Sequence, residues 1–163
     1  MASIHREIEI DASPERVWSA LRDVYDVHRR LVPGVLVDGR RDGDHRVVTF
    51  ATGLVVRELI VDVDDDRRRV AYTVVDSPMH AVHHHASMQV VPGDGAAGRC
   101  RLLWITDVVP DDLAWPIADL MDQGAAAMQR TLAAGRAGTA GTAERAEPVD
   151  RAEAAQAGRP ALA

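Results

Sequence analysis

The chain has no lysine and no asparagine; all nineteen of its basic residues are arginine. Schiff-base catalysis and pyridoxal phosphate attachment need a lysine amine, so both are excluded apart from the N-terminus. The arginine bias suggests a GC-rich bacterial genome. Cys100 is the only cysteine, which leaves no internal disulfide and no thiolate cluster for structural zinc, and fits a reducing compartment. A Gly-rich phosphate loop, a GxSxG elbow and an HExxH pair are all missing, and no cofactor is expected. No stretch of 18 apolar residues occurs, and the opening MASIHREIEI lacks an apolar run of signal-peptide length. The expectation is a soluble cytoplasmic protein with no membrane partner. The formal charge of −6 comes with arginines scattered among carboxylates, so nucleic acid is not an expected partner either.

What is present is an order of elements. Ile4, Ile8 and Ile10 alternate with His5, Glu7 and Glu9, which predicts a half-buried strand that only Arg6 interrupts. Ser13-Pro14-Glu15 is a helix start, with Ser13 as cap and Pro14 at the first helical position, and Val17, Trp18 and Leu21 form its buried stripe. A second short helix is expected over 24–31, ending at Pro33-Gly34. From Val35 to Val109 the chain is rich in Val, Ile, Thr and Tyr. Turn clusters at 41–44, 64–66, 76–78 and 92–95 divide it into about six strands of a meander. After Pro110-Asp111-Asp112 the period becomes helical: Leu113, Ile117, Met121, Gly124, Met128 and Leu132 recur every three or four residues, predicting a helix from about Pro116 to Ala134. The fold class is therefore α+β, a helix-grip fold. A curved antiparallel sheet of about seven strands wraps a long C-terminal helix, and two short helices follow the first strand. The expected domain is residues 1–134, with 135–163, which lack any periodic apolar residue, as a disordered tail.

The segments IEIDASPERVWSALRDVYDVHRRLVPG, VVRELIVDVDDDRRRVAYTVVDSP and HHHASMQV…CRLLWITDVVPDD resemble the polyketide cyclase/dehydrase group of the START-like (SRPBCC) superfamily, over about residues 3 to 134. The resemblance implies the helix-grip fold with a ligand cavity between sheet and helix. It implies function only broadly, because members cyclise polyketides, carry lipids, bind hormones or have no known activity, and a fold does not fix a function.

Strand alternation selects the residues facing that cavity. His84, Ala86 and Met88 share one face of their segment, and Val70, Tyr72 and Val74 form another set; Val56, Glu58 and Ile60 form a third, less clear because Val55, Leu59 and Val61 are equally apolar. Likeness to plant hormone receptors of the superfamily also suggests that Glu58, Tyr72 and His84 face inward. If the loop 92–98 closes a hairpin with Val91 opposite Arg99, Met88 faces Leu102, Ala86 faces Trp104 and His84 faces Thr106. The expected ligand-contacting set is Val56, Val74, Ala86, Met88, Leu102, Trp104, Thr106, Met121, Gly124 and Met128. Gly124 weakens a helix by about 1 kcal/mol relative to alanine, so its place there is explained by room for a strand or ligand. His28 and Arg30 are either mouth residues or plain surface.

His84, Glu58 and Tyr72 on one concave surface form a candidate acid–base set for enolisation, aldol closure or dehydration, or else a polar lining without chemistry. His83 and His85 share the outer face, with Asp107 expected opposite His83. An exposed cluster with adventitious metal affinity accounts for them, and no functional metal is expected. Leu103 and Ile105, apolar on that outer face, suggest a homodimer surface. The leading expectation is binding of an apolar, aromatic or polyketide-like small molecule. The rivals are a dedicated polyketide aromatase/cyclase and a co-chaperone-like protein-interaction domain.

Overall fold

The computed structural model describes residues 1–93 and 98–140, with only the backbone course given for 134–140. The elements are β1 (Ala2–Ile10), α1 (Pro14–Leu21), α2 (Val27–Arg30), β2 (Leu36–Asp42), β3 (His45–Phe50), β4 (Val55–Asp64), β5 (Arg69–Asp76), β6 (His83–Pro92), β7 (Cys100–Val109), a 3-10 turn (Asp111–Leu113) and α3 (Ala114–Ala140). Strands β2 to β7 pair each with the next, and β1, separated from β2 by the two helices, closes antiparallel onto β7 instead. Register shifts at Leu36/Asp38, Arg57/Glu58 and Ile60/Asp62 bend the β2–β5 half, because an extra residue on one strand increases local twist. The sheet thereby curves around α3.

Local chemistry accounts for the helix entries. The Ser13 hydroxyl accepts from the Arg16 N–H at 3.3 Å and Pro14 opens α1. The Trp18 indole N–H donates to Asp65 in the β4–β5 turn at 2.9 Å, tying α1 to the sheet. The second helix is shorter than expected, covering Val27–Arg30, and ahead of it the Val24 carbonyl accepts from Arg46 at 3.0 Å. A turn that no residue cluster announces divides β3 from β4. There the Phe50 N–H donates to the Leu54 carbonyl and Gly53 adopts φ +88, a conformation glycine takes at no steric cost.

The β6–β7 hairpin corrects the expected register. Val91 stands opposite Arg101, so Met88 pairs with Trp104, Ala86 with Thr106 and His84 with Val108. Arg99 belongs to the turn, where its carbonyl accepts from the Gly93 N–H and Gly98 takes φ +91. The slip is of two residues, so every side chain keeps its face. On the outer face Asp107 accordingly lies opposite His85, not His83. Leu103 and Ile105 are only partly exposed there, each flanked by side chains of β1 and β6.

The final helix begins at Ala114, with Pro116 in its first turn, and runs to Ala140, past the expected end at Ala134. That extension, 135–140, holds two glycines and a threonine, which are weak helix formers, and continues a helix that is already nucleated. The rest of the expected tail, 141–163, lies outside the described residues. The inner residues of β1, β5, β6 and β7 join Val17, Trp18 and Leu21 of α1 and Met128 and Leu132 of α3 in the main core; Ile4, Val108 and Met121 form a smaller cluster. Among the described residues no helix is long and apolar enough to cross a membrane.

Candidate functional site

Between the concave face of the sheet and α3 lies a cavity of ≈ 140 Å³. Its walls are mostly aliphatic. Val48, Val56, Val70, Val74 and Met88 contribute from the strands, Met121, Gly124 and Met128 from α3, and Val27, Leu31, Val32 and Leu36 from α2 and the segment after it. Of the positions expected to contact a ligand, Val56, Val74, Met88, Trp104, Thr106, Met121, Gly124 and Met128 line this space. Ala86 and Leu102 do not. Both face inward and are fully buried, but Leu102 packs in the main core and Ala86 is too short to reach beyond its neighbours Tyr72 and Thr106. Room for the Trp104 indole comes instead from the helix. A Cβ at position 124 would stand 3.1 Å from Trp104 Cζ3 and 3.2 Å from Cη2, so glycine there lets the ring lie against α3. Neither His28 nor Arg30 lines the cavity. His28 is buried against β2, where a Cβ at Gly39 would come within 2.6 Å of its Nδ1, and Arg30 bonds Asp23 and Ser19.

One end of the cavity is polar, and its organiser is a residue that strand patterning overlooked. Arg46 of β3 stands directly opposite Glu58 of β4, and its Nε donates to Glu58 Oε2 at 2.5 Å. Both residues are 8 % exposed. The other arm of the guanidinium donates to the Val24 carbonyl, and its carbon lies 4.8 Å from the centroid of the Tyr72 ring. The signal was the alternation Arg46, Val48, Phe50, which puts an arginine on an otherwise apolar inner set. Burial is the largest influence and works against the Arg46 charge, but the Glu58 carboxylate together with Tyr72 and Tyr25 outweighs it and holds the guanidinium protonated.

The expected trio does meet on one wall: Glu58, Tyr72 and His84 all line the cavity, with the Tyr72 and His84 rings 6.1 Å apart. Each group is constrained. Burial, reinforced by Glu58, pushes the Tyr72 phenol well above its ordinary range, so it stays protonated; Arg46 and the Trp104 N–H oppose the shift. That indole N–H is buried without a partner at full hydrogen-bonding geometry. His84 does an unusual structural job. The β5–β6 ladder ends at Tyr72 opposite Ala86, and beyond it the Val74 N–H donates to His84 Nδ1 at 3.2 Å while the Thr73 hydroxyl bonds the His84 carbonyl. An imidazole nitrogen thus replaces a missing strand acceptor. Its use as acceptor puts the proton of the neutral ring on Nε2. Burial holds His84 below the ordinary imidazole range; Glu58 acts against that, His85 and His83 with it.

The arrangement therefore offers donors: Tyr72 hydroxyl, Trp104 Nε1–H and His84 Nε2–H. Of its strong acceptors, Glu58 Oε2 is engaged by Arg46 and His84 Nδ1 by Val74. The lone thiol is no nucleophile, since burial pushes Cys100 up to about 11. Among the described residues no group of three or more His, Cys, Asp or Glu side chains is placed to hold a metal ion.

The sequence model of a family described as polyketide cyclase/dehydrase and lipid transport matches residues 1–147. No protein of curated function matches the sequence. Several solved structures share the fold. Protein XoxI from Bacillus cereus is 20% identical over 81% of this chain and 96% of its own, with a TM-score of 0.73. A Thermobifida fusca protein is 26% identical over 85% and 95%, with a TM-score of 0.65. Norcoclaurine synthase from Thalictrum flavum is 19% identical over 76% and 91%, with a TM-score of 0.57.

Two predictions follow from the polar end. Glu58→Gln leaves Arg46 charged and buried, so it should cost roughly 3–5 kcal/mol in urea unfolding, whereas Arg46→Met combined with Glu58→Leu should cost much less; equal losses would contradict a compensated pair. The second concerns pH. The pKa of His84 is lower folded than unfolded, so the stability its neutral form contributes is complete above the ordinary imidazole value of about 6.5 and is lost as the pH falls through the depressed folded value. Unfolding free energies measured stepwise from about pH 7.5 downward should show a shallower acid decline in His84→Ala than in the wild type. Parallel declines would remove His84 from the acid limb.

Proposed function

The chain belongs to the polyketide cyclase/dehydrase and lipid transport family, and from that premise we propose that it is a ligand-binding protein whose cavity holds an apolar, aromatic-type small molecule without turning it over. The observation that carries this reading is a mostly aliphatic space between sheet and helix whose potential acid–base groups are committed to the fold. Enolisation or aldol closure needs a base that can take a proton. Glu58 is neutralised by Arg46, which occupies its Oε2, while His84 Nδ1 receives the Val74 N–H and its other nitrogen already carries hydrogen. Size sets the scale of the ligand, because a cavity of about 150 Å³ takes a molecule the size of benzene. The rival cyclase reading draws on the meeting of Glu58, Tyr72 and His84 on one wall. It requires the Arg46–Glu58 pair to part or the His84 bond to Val74 to break during turnover.

Trp104 makes the proposal testable without knowing the natural ligand. Titration of the wild type with toluene should change the tryptophan fluorescence in a saturable way, because the indole lines the space. Trp104→Phe should abolish that change although Trp18 and Trp115 remain. A saturable response that persists undiminished in Trp104→Phe would place toluene elsewhere, and no response in the wild type would contradict an accessible apolar cavity.

A further inference from the structure

We infer that the cavity selects a neutral, single-ring molecule carrying one acceptor oxygen, with aromatic ketones the best-fitting class, over a hydrocarbon, carboxylate or amine of the same size. The inference rests on the ligand-binding reading and specifies what that site takes. Its first support is volume: ≈ 140 Å³ holds about one aromatic ring.

The second support is the polarity of the one polar wall. Trp104 Nε1–H is buried and lacks a partner at full hydrogen-bonding geometry, while facing the Tyr72 hydroxyl closely enough to favour its ionised form. That hydroxyl can accept from the indole and pass its own hydrogen onward into the cavity. His84, held through Nδ1 by Val74, carries its hydrogen on Nε2. The donors thus face a space in which Glu58 Oε2 and His84 Nδ1 are already engaged within the protein. The hydroxyl of Thr106 can serve in either sense and opposes neither outcome. A hydrocarbon offers these donors no partner, whereas a carbonyl oxygen can accept from two of them.

The third support is charge. Arg46 and Glu58 cancel at 2.5 Å, and the second arm of Arg46 is held by the Val24 carbonyl. A ligand carboxylate would shed its water to meet an arginine already neutralised by Glu58, and an ammonium group would shed its water to meet a carboxylate already neutralised by Arg46. Neutral acceptors avoid both costs.

The experiment is calorimetric titration of the full chain near neutral pH with four probes of similar size: acetophenone, ethylbenzene, benzoate and benzylamine. Acetophenone should bind about tenfold more tightly than ethylbenzene, and benzoate and benzylamine more weakly than either. In Tyr72→Phe the preference for acetophenone over ethylbenzene should shrink toward unity while ethylbenzene affinity stays within about twofold. Equal affinity of wild type for acetophenone and ethylbenzene, or tightest binding of benzoate or benzylamine, would overturn the selectivity while leaving ligand binding intact. If no probe binds, ethylbenzene included, the ligand-binding reading itself fails. Should Tyr72→Phe not fold, the wild-type ranking still decides, and Trp104→Phe supplies the second donor deletion.

Discussion

An arginine buried inside a ligand-sized apolar space is the constraint from which the rest of this site follows. Desolvating a guanidinium costs several kcal/mol unless its charge and hydrogens are matched, and Arg46 matches them with the carboxylate directly across the β3–β4 ladder, the Val24 carbonyl and the face of Tyr72. Those three contacts join β3, β4, β5 and the connection between α1 and α2. The same guanidinium therefore shapes the cavity wall, ties the segment ahead of α2 to the sheet and neutralises Glu58. A single cross-strand pair sets the structure and the chemical character of the polar end together.

The seam between β5 and β6 shows the same economy. Strand pairing stops at Tyr72 and Ala86, where continued pairing would draw the two strands together beside the cavity. The orphaned Val74 N–H is met by the His84 ring, so the opening is stabilised by a side chain that also lines the site. An imidazole used in this way is defined as a donor toward the interior. Together with Tyr72 and Trp104 it makes the inner wall one that receives an oxygen rather than one that removes a proton.

Much of this was legible in the sequence, and the reasons for the gaps are specific. Inward and outward faces of β4 to β7 were readable because alternation has period two, and a two-residue error in the β6–β7 register left every face unchanged. The register itself was not readable, since the Gly-containing loop after Pro92 does not declare which residue closes it. For Gly124 the inferred need for space was right in kind, and only the coordinates identify the Trp104 ring as its occupant. Arg46 was missed because an arginine in a strand usually lies on the wet face. Its pairing with Glu58, twelve positions away, depends on a turn at 51–54 marked by little more than one glycine. The burial of His28 depends on Gly39 admitting its ring, a tertiary fact with no local signature.

The central claim is a ring-sized, mostly apolar space bounded by Trp104, Tyr72 and α3, and crystallography under xenon pressure tests it most directly. Xenon enters apolar cavities of this size without needing any polar recognition. The account predicts a bound xenon atom in contact with Trp104, Met121 and Met128, with the Arg46–Glu58 pair intact beside it. A collapsed interior without xenon, or a chain of ordered water running from Glu58 to Trp104, would contradict it.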